Sequence, residues 1–223
     1  MKKILLILLF ITFSSYSGVI INGTRFIYPQ NEREIGLSIE NPEEKTTYLI
    51  QSWIEKENRK THDFIITPPL FKLNPEAINK LRIMKAKPSH QNNKETLYWL
   101  HIKSLPSLSE SVENSLHIVV KSSFKLFYRP ESLNKTAEFA FKNLQFSYQN
   151  QSLSVKNPTG HYITLRELRI DSIDIPEPGM IAPFSRLSWN VPISNPNTVY
   201  WNALNDYGGK TQLTSQKLLL NNE

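Results

Sequence analysis

Ser122-Ser123-Phe124-Lys125 comes nearest to a catalytic pattern in this sequence. It is an S-x-x-K arrangement, in which the hydroxyl attacks an acyl group and the amine helps to move its proton. That chemistry needs a helical turn to bring the two side chains together. The flanking residues alternate as a strand does, which puts Ser122 and Lys125 on opposite faces, and no K-T-G or S-D-N companion is present. His62, His90, His101, His117 and His161 show neither H-x-x-x-H nor H-E-x-x-H spacing. There is no cysteine, so thiolate metal sites and disulfides are excluded and packing with hydrogen bonding must hold the fold. A Gly-rich phosphate loop is absent as well, and no cofactor is expected. Asn22-Gly23-Thr24, Asn134-Lys135-Thr136 and Asn150-Gln151-Ser152 satisfy the glycosylation triplet, a pattern common by chance.

The elements that would position these residues are strands. Short alternating segments fall at 19–28, 35–40, 48–55, 64–67, 80–84, 97–102 and 116–128, separated by Pro, Asn and Gly clusters, and no helical stripe of useful length appears. Pro68 and Pro69 close the ladder of the fourth segment, and either bond is open to the cis form. After Arg129-Pro130 a polar stretch, 131–135, reads as a linker. A second set of strands follows at 144–148, 152–155, 162–170, 187–191, 198–204 and 212–219. The expectation is an all-β chain of two immunoglobulin-like sandwiches, covering 18–130 and 136–223. Lys2 and Lys3, the apolar run over 4–13, and the small residues Ser15 and Ser17 read as a cleavable secretory leader at 1–17. That run is short of the roughly 20 residues a bilayer-spanning helix needs, so the protein is not expected to be membrane-embedded.

The formal charge falls from +6 to +4 once Lys2 and Lys3 leave with the leader, and the remaining basic residues are scattered. Nucleic acid is therefore a poor partner, whereas acidic proteins would be attracted in a salt-dependent way.

The segment 116–128 holds no Gly or Pro and would extend about 40 Å at ~3.3 Å per residue. Leu116, Ile118 and Val120 share one of its faces. Two readings are open from pattern alone: the trio fills this domain's own core, or it is offered to a partner.

The end of this strand, Phe124-Lys125-Leu126-Phe127-Tyr128-Arg129-Pro130, resembles the signature that closes the first domain of periplasmic pilus-assembly chaperones of the chaperone-usher pathway, the PapD-like family. Thr24-Arg25-Phe26-Ile27-Tyr28, Ser52-Trp53-Ile54-Glu55, Ile66-Thr67-Pro68-Pro69, Leu97-Tyr98-Trp99-Leu100 and Asn205-Asp206-Tyr207-Gly208-Gly209 resemble further family motifs, in the family's order. The resemblance implies two sandwiches in an L-shaped arrangement, no catalysis, and a periplasmic role in folding and capping pilus subunits before delivery to an outer-membrane usher. In the family, alternating apolar residues of the strand before the linker enter a subunit's incomplete sandwich. Leu116, Ile118 and Val120 stand at those positions.

Arg25 and Lys125 occupy the positions that the family uses to hold the subunit's C-terminal carboxylate, while Glu95, Arg129 and Asp206 match its interdomain charge cluster. A self-dimer capping the free edge is also expected. The short connection over 104–115 resembles the subgroup that assembles rod-like pili, whereas the disulfide some members carry near the C-terminus has no counterpart in 211–223. The competing functions are a pilus subunit or adhesin, and a periplasmic serine hydrolase.

Overall fold

The computed structural model describes residues 18–87, 93–107 and 118–218. The expected leader, Leu116, His90, His117 and most of the 104–115 connection lie outside these described residues.

The first half of the chain forms β1 (Ile20–Ile21), β2 (Arg25–Pro29), β3 (Glu34–Glu40), β4 (Tyr48–Lys56), β5 (Arg59–Lys60), β6 (Phe64–Thr67), β7 (Leu70–Leu73), β8 (Ile78–Lys85), β9 (Thr96–Pro106) and β10 (Val120–Arg129). Two sheets face each other, one ordered β1-β3-β8-β6 and the other β2-β10-β9-β4, with β5 and β7 both on the far flank of β4. Strict alternation explains the packing. Ile50, Ile54, Leu81, Ile83, Leu100, Ile102 and Leu126 point inward and are almost wholly buried, while intervening residues such as Gln51 and Arg82 face water.

Two breaks in regular pairing build the sandwich. The segment 19–28, read as one strand, changes sheets partway: β1 pairs with β3, and β2 runs parallel to β10. The switch occurs at Gly23, whose φ of +130° suits a residue without a side chain; a Cβ there would lie 2.8 Å from the Phe26 ring. Pro68 and Pro69 make the second crossing, from β6 in one sheet to β7 in the other, with a cis bond between Thr67 and Pro68.

The second half comprises β11 (Gln145–Gln149), β12 (Ser152–Lys156), β13 (Ile163–Ile170), β14 (Ile173–Asp174), β15 (Met180–Ile181), β16 (Arg186–Asn190), β17 (Thr198–Ala203) and β18 (Thr214–Lys217). Its sheets are ordered β11-β12-β16 and β14-β13-β17-β18, with β15 added to β13. A separate core gathers Leu153, Val155, Leu168, Ile170, Val199 and Trp201. The 131–135 stretch is the start of a 3-10 helix, Glu131–Asn143, which contrasts with the strand-only expectation. Ala140 and Phe141 bury its far end, where the Trp201 indole N–H donates to the Phe141 carbonyl at 2.9 Å. Among the described residues no helix is long and apolar enough to cross a membrane.

Candidate functional site

β10 is flanked differently along its length. Against β9 it pairs antiparallel from Val120↔Ser104 to Tyr128↔Thr96, but its parallel pairing with β2 starts only at Lys125↔Arg25 and ends at Arg129↔Pro29. Among the described residues, 120–124 therefore have a strand on one side and an open row of backbone groups on the other. Even-numbered side chains of β10 point to the core, and Leu126 and Tyr128 are buried there. Ile118 and Val120 continue that alternation beyond the covered part of the sandwich and are 68% and 51% exposed. Their exposure disposes of the reading in which they fill the domain's own core.

The odd-numbered side chains project from the opposite face. The pairing register makes Arg25 and Lys125 neighbours at the point where the open edge ends, although they lie far apart in sequence. The Arg25 guanidinium lies 4.6 Å from the centre of the Phe127 ring and donates to the Leu204 carbonyl of the second domain at 3.3 Å. Lys125 Nζ sits 5.8 Å from the centre of the Trp99 ring. Among the described residues neither forms an ion pair. Burial moves the pKa of Arg25 below its ordinary value despite the pull of Asp206 and Glu95. Burial and then the Arg25 charge lower that of Lys125. A partly dehydrated cation pair of this kind is prepared to accept an anion.

Below this pair the two domains are clamped together. Arg129 donates through Nε to Glu95 Oε1 at 2.7 Å and, in a two-pronged contact, through its terminal nitrogens to Asp206 at 2.6 and 2.7 Å. Glu95 also pairs with His161 Nδ1 at 3.2 Å and accepts the Tyr162 backbone N–H at 2.8 Å. Burial works to raise the Glu95 carboxyl, but the His161, Arg129 and Tyr162 contacts outweigh it and hold it below the ordinary carboxylate value. Glycines let the backbones approach: a Cβ at Gly160 would collide with the Asn93 carbonyl, and one at Gly208, where φ is +82°, with the Thr24 side chain. A cleft of about 500 Å³ borders the junction, lined by Arg25, Tyr162, Leu204, Asp206 and Tyr207 among others.

Of the residues singled out from the sequence, the structure brings Arg25 and Lys125 together at the end of the edge, leaves Ile118 and Val120 exposed along it, and joins Glu95, Arg129 and Asp206 in one hydrogen-bonded cluster. His161 and Tyr162 escaped sequence reasoning, because a histidine without a spaced partner carries no signal of a carboxylate 66 positions away.

Residues 18–134 match the family model described as pili and flagellar-assembly chaperone, PapD N-terminal domain, and residues 140–215 match that of the pili assembly chaperone PapD, C-terminal domain. The chain belongs to this family of pilus-assembly chaperones. It is 35% identical over 203 residues to the chaperone protein FocC of Escherichia coli, covering 89% of each chain. To FimC of Escherichia coli K12 it is 34% identical over 199 residues, covering 87% of this chain and 82% of that one. Among solved structures, the periplasmic chaperone SfaE matches 91% of this chain and 100% of its own at 30% identity and a TM-score of 0.77. The structure of the Salmonella enterica SafA pilin in complex with the SafB chaperone matches 92% of this chain and 99% of its own, at 27% identity and a TM-score of 0.81. The PapD-like resemblance read from the sequence is borne out, and the all-β two-domain architecture with it. The family is one of pilus-assembly chaperones, which does not favour a pilus subunit or a hydrolase, and Ser122 and Lys125 project from opposite faces of β10.

Proposed function

We propose that this chaperone captures a pilus subunit by adding the open edge of β10 to the subunit's unfinished sandwich while Arg25 and Lys125 grip the subunit's C-terminal carboxylate. The observation that supports this reading most is the register: the β2 partner stops at Lys125↔Arg25, so an added strand alongside 120–124 would end against two cations. A guanidinium suits a carboxylate through two parallel bonds, and an ammonium adds a compact charge. Fixing the chain end fixes which side chains of the added strand face the groove, since a slip of one residue reverses them. Ile118 and Val120, exposed on the face that continues the core pattern, are the apolar teeth, with Leu116 as the third. Each would contribute about 1.5 to 3 kcal/mol on burial, before the costs of association. The cluster of Glu95, Arg129 and Asp206 sets the angle between the domains, and membership of a family of pilus chaperones supports a role without covalent catalysis.

The same reading places the chain in the periplasm after removal of residues 1–17, with an outer-membrane usher as its second partner. In the free chaperone a second copy would cover the edge, because unpaired strand edges otherwise invite association. The decisive experiment is capture of the cognate subunit by an Arg25→Ala/Lys125→Ala double variant. It should stay folded and be exported but lose the subunit, and unchanged affinity would refute the anchor.

A further inference from the structure

The six-stranded sheet turns one face away from its own core, and that face is organised in rows by the pairing register. Arg25, Lys125, Trp99 and Glu55 form the first row, Ser123, His101 and Trp53 the second, and Lys121, Lys103 and Gln51 the third. The first row is the cation pair already described, and the other two run beside the open edge.

The aromatic members are held in place. The Trp53 indole N–H donates to Glu55 Oε1 at 2.8 Å, and the His101 ring lies 5.1 Å from that of Trp53. His101 is in turn bridged between Ser123 Oγ at 2.8 Å and Glu55 Oε2 at 3.2 Å. Lys121 Nζ rests 5.2 Å from the centre of the Trp53 ring, as Lys125 does over Trp99. Both Glu55 oxygens are occupied by these neighbours. Among the described residues Lys103, Lys121 and Lys125 form no ion pair. The face therefore carries fixed aromatic surface and an excess of positive charge: Arg25, Lys103, Lys121 and Lys125 stand against the single carboxylate of Glu55, whose oxygens are already taken by Trp53 and His101.

A partner that covers this face must dehydrate those ammonium groups, which is unfavourable unless it brings carboxylates to meet them. Position says which partner arrives: a strand added along the edge at 120–124 and held at Arg25 and Lys125 comes to lie beside Ser123 and Lys121, the β10 members of rows two and three, with Lys103 one strand further in. We infer that Lys103 and Lys121, on the platform set by Trp53 and His101, form a second contact for the captured subunit, selective for acidic side chains on the flank beside its C-terminal strand. This inference rests on the capture reading above and adds a specificity contact to it. Trp53 and His101 act as positioning residues, since they hold Lys121 over the ring.

Two probes separate the contact from the anchor: the cognate subunit, refolded from denaturant with the chaperone present, and a synthetic peptide copying that subunit's C-terminal strand with a free carboxylate. A Lys103→Gln/Lys121→Gln variant should melt with the wild type and bind the peptide within about twofold. It should hold the intact subunit about tenfold more weakly, with a shallower dependence on salt. A Lys103→Arg/Lys121→Arg variant should retain the wild-type behaviour. Unchanged affinity and salt dependence for the intact subunit in the glutamine variant would overturn the second contact while leaving the anchor standing. If instead Arg25→Ala bound both probes as the wild type does, the anchor reading would fall, and the inference with it.

Discussion

The two halves of β10 have the same alternating character and opposite fates. In the half from 125 to 129, β2 and β9 flank the strand on both sides, Leu126 is wholly buried, and Arg129 is sealed into the domain junction. In the half from 120 to 124 no described strand occupies the flank that β2 would take; Val120, which shares its face with Leu126, is 51% exposed, and Ile118, just before the strand, is 68% exposed. Identical patterning therefore serves stability at one end and recognition at the other, and the neighbouring strand decides which. The free half is held as a strand by β9 alone, which pairs with it from Val120 onward.

Mutations that separate the halves should differ in kind as well as in size. Arg129→Ala is expected to have the largest effect on stability. It leaves Glu95 buried with a guanidinium removed, a change that typically costs about 3 to 5 kcal/mol, and urea denaturation should show it. A loss below about 1 kcal/mol would mean that the clamp is solvated when the domains flex. Next comes Leu126→Ala, at about 2 to 5 kcal/mol for a core leucine. Ile118→Ala should change the unfolding free energy by no more than about 0.5 kcal/mol, yet weaken subunit capture. Equal destabilisation by the two would erase the distinction between the halves.

The smallest expected effect is the pH dependence that the anchored half contributes. Glu95 and Asp206 both lie below their ordinary values of 4.5 and 3.8; for Asp206, burial works to raise it and the Arg129 contacts prevail. The folded chain thus binds fewer protons at these carboxyls than the unfolded chain does. The stability they contribute is complete above those ordinary values and is lost as pH falls through the lower, folded ones. Thermal melting followed from neutral pH downward should show the decline below about pH 4.5 in the wild type, and a weaker decline in Arg129→Ala, which has lost the shared partner of both carboxyls.

Much of the fold was legible because strands with one buried face announce themselves by alternation. The segments at 48–55 and 64–67 correspond to β4 and β6 almost residue for residue. What escaped was of two kinds. The two-residue strands β5, β14 and β15 are too short to show a period, and the switch at Gly23 is invisible because the same apolar alternation fits either sheet. The 3-10 helix escaped because Ala140 and Phe141, its buried residues, cluster at one end. At the site, motif resemblance picked out Arg25, Lys125, Glu95, Arg129 and Asp206, whereas nothing local marked His161 or Tyr162.

From sequence alone came the strand-rich composition, the absence of any cross-link, the positive charge, and the run of residues along β10 with its even and odd faces, since all of these depend on residue type and a period of two. Tertiary structure alone decided where β2 stops alongside β10. That single register makes neighbours of Arg25 and Lys125, buries Leu126 and exposes Ile118. It is set by which strand docks against which over a separation of about a hundred residues, a matter of global packing that no local pattern encodes.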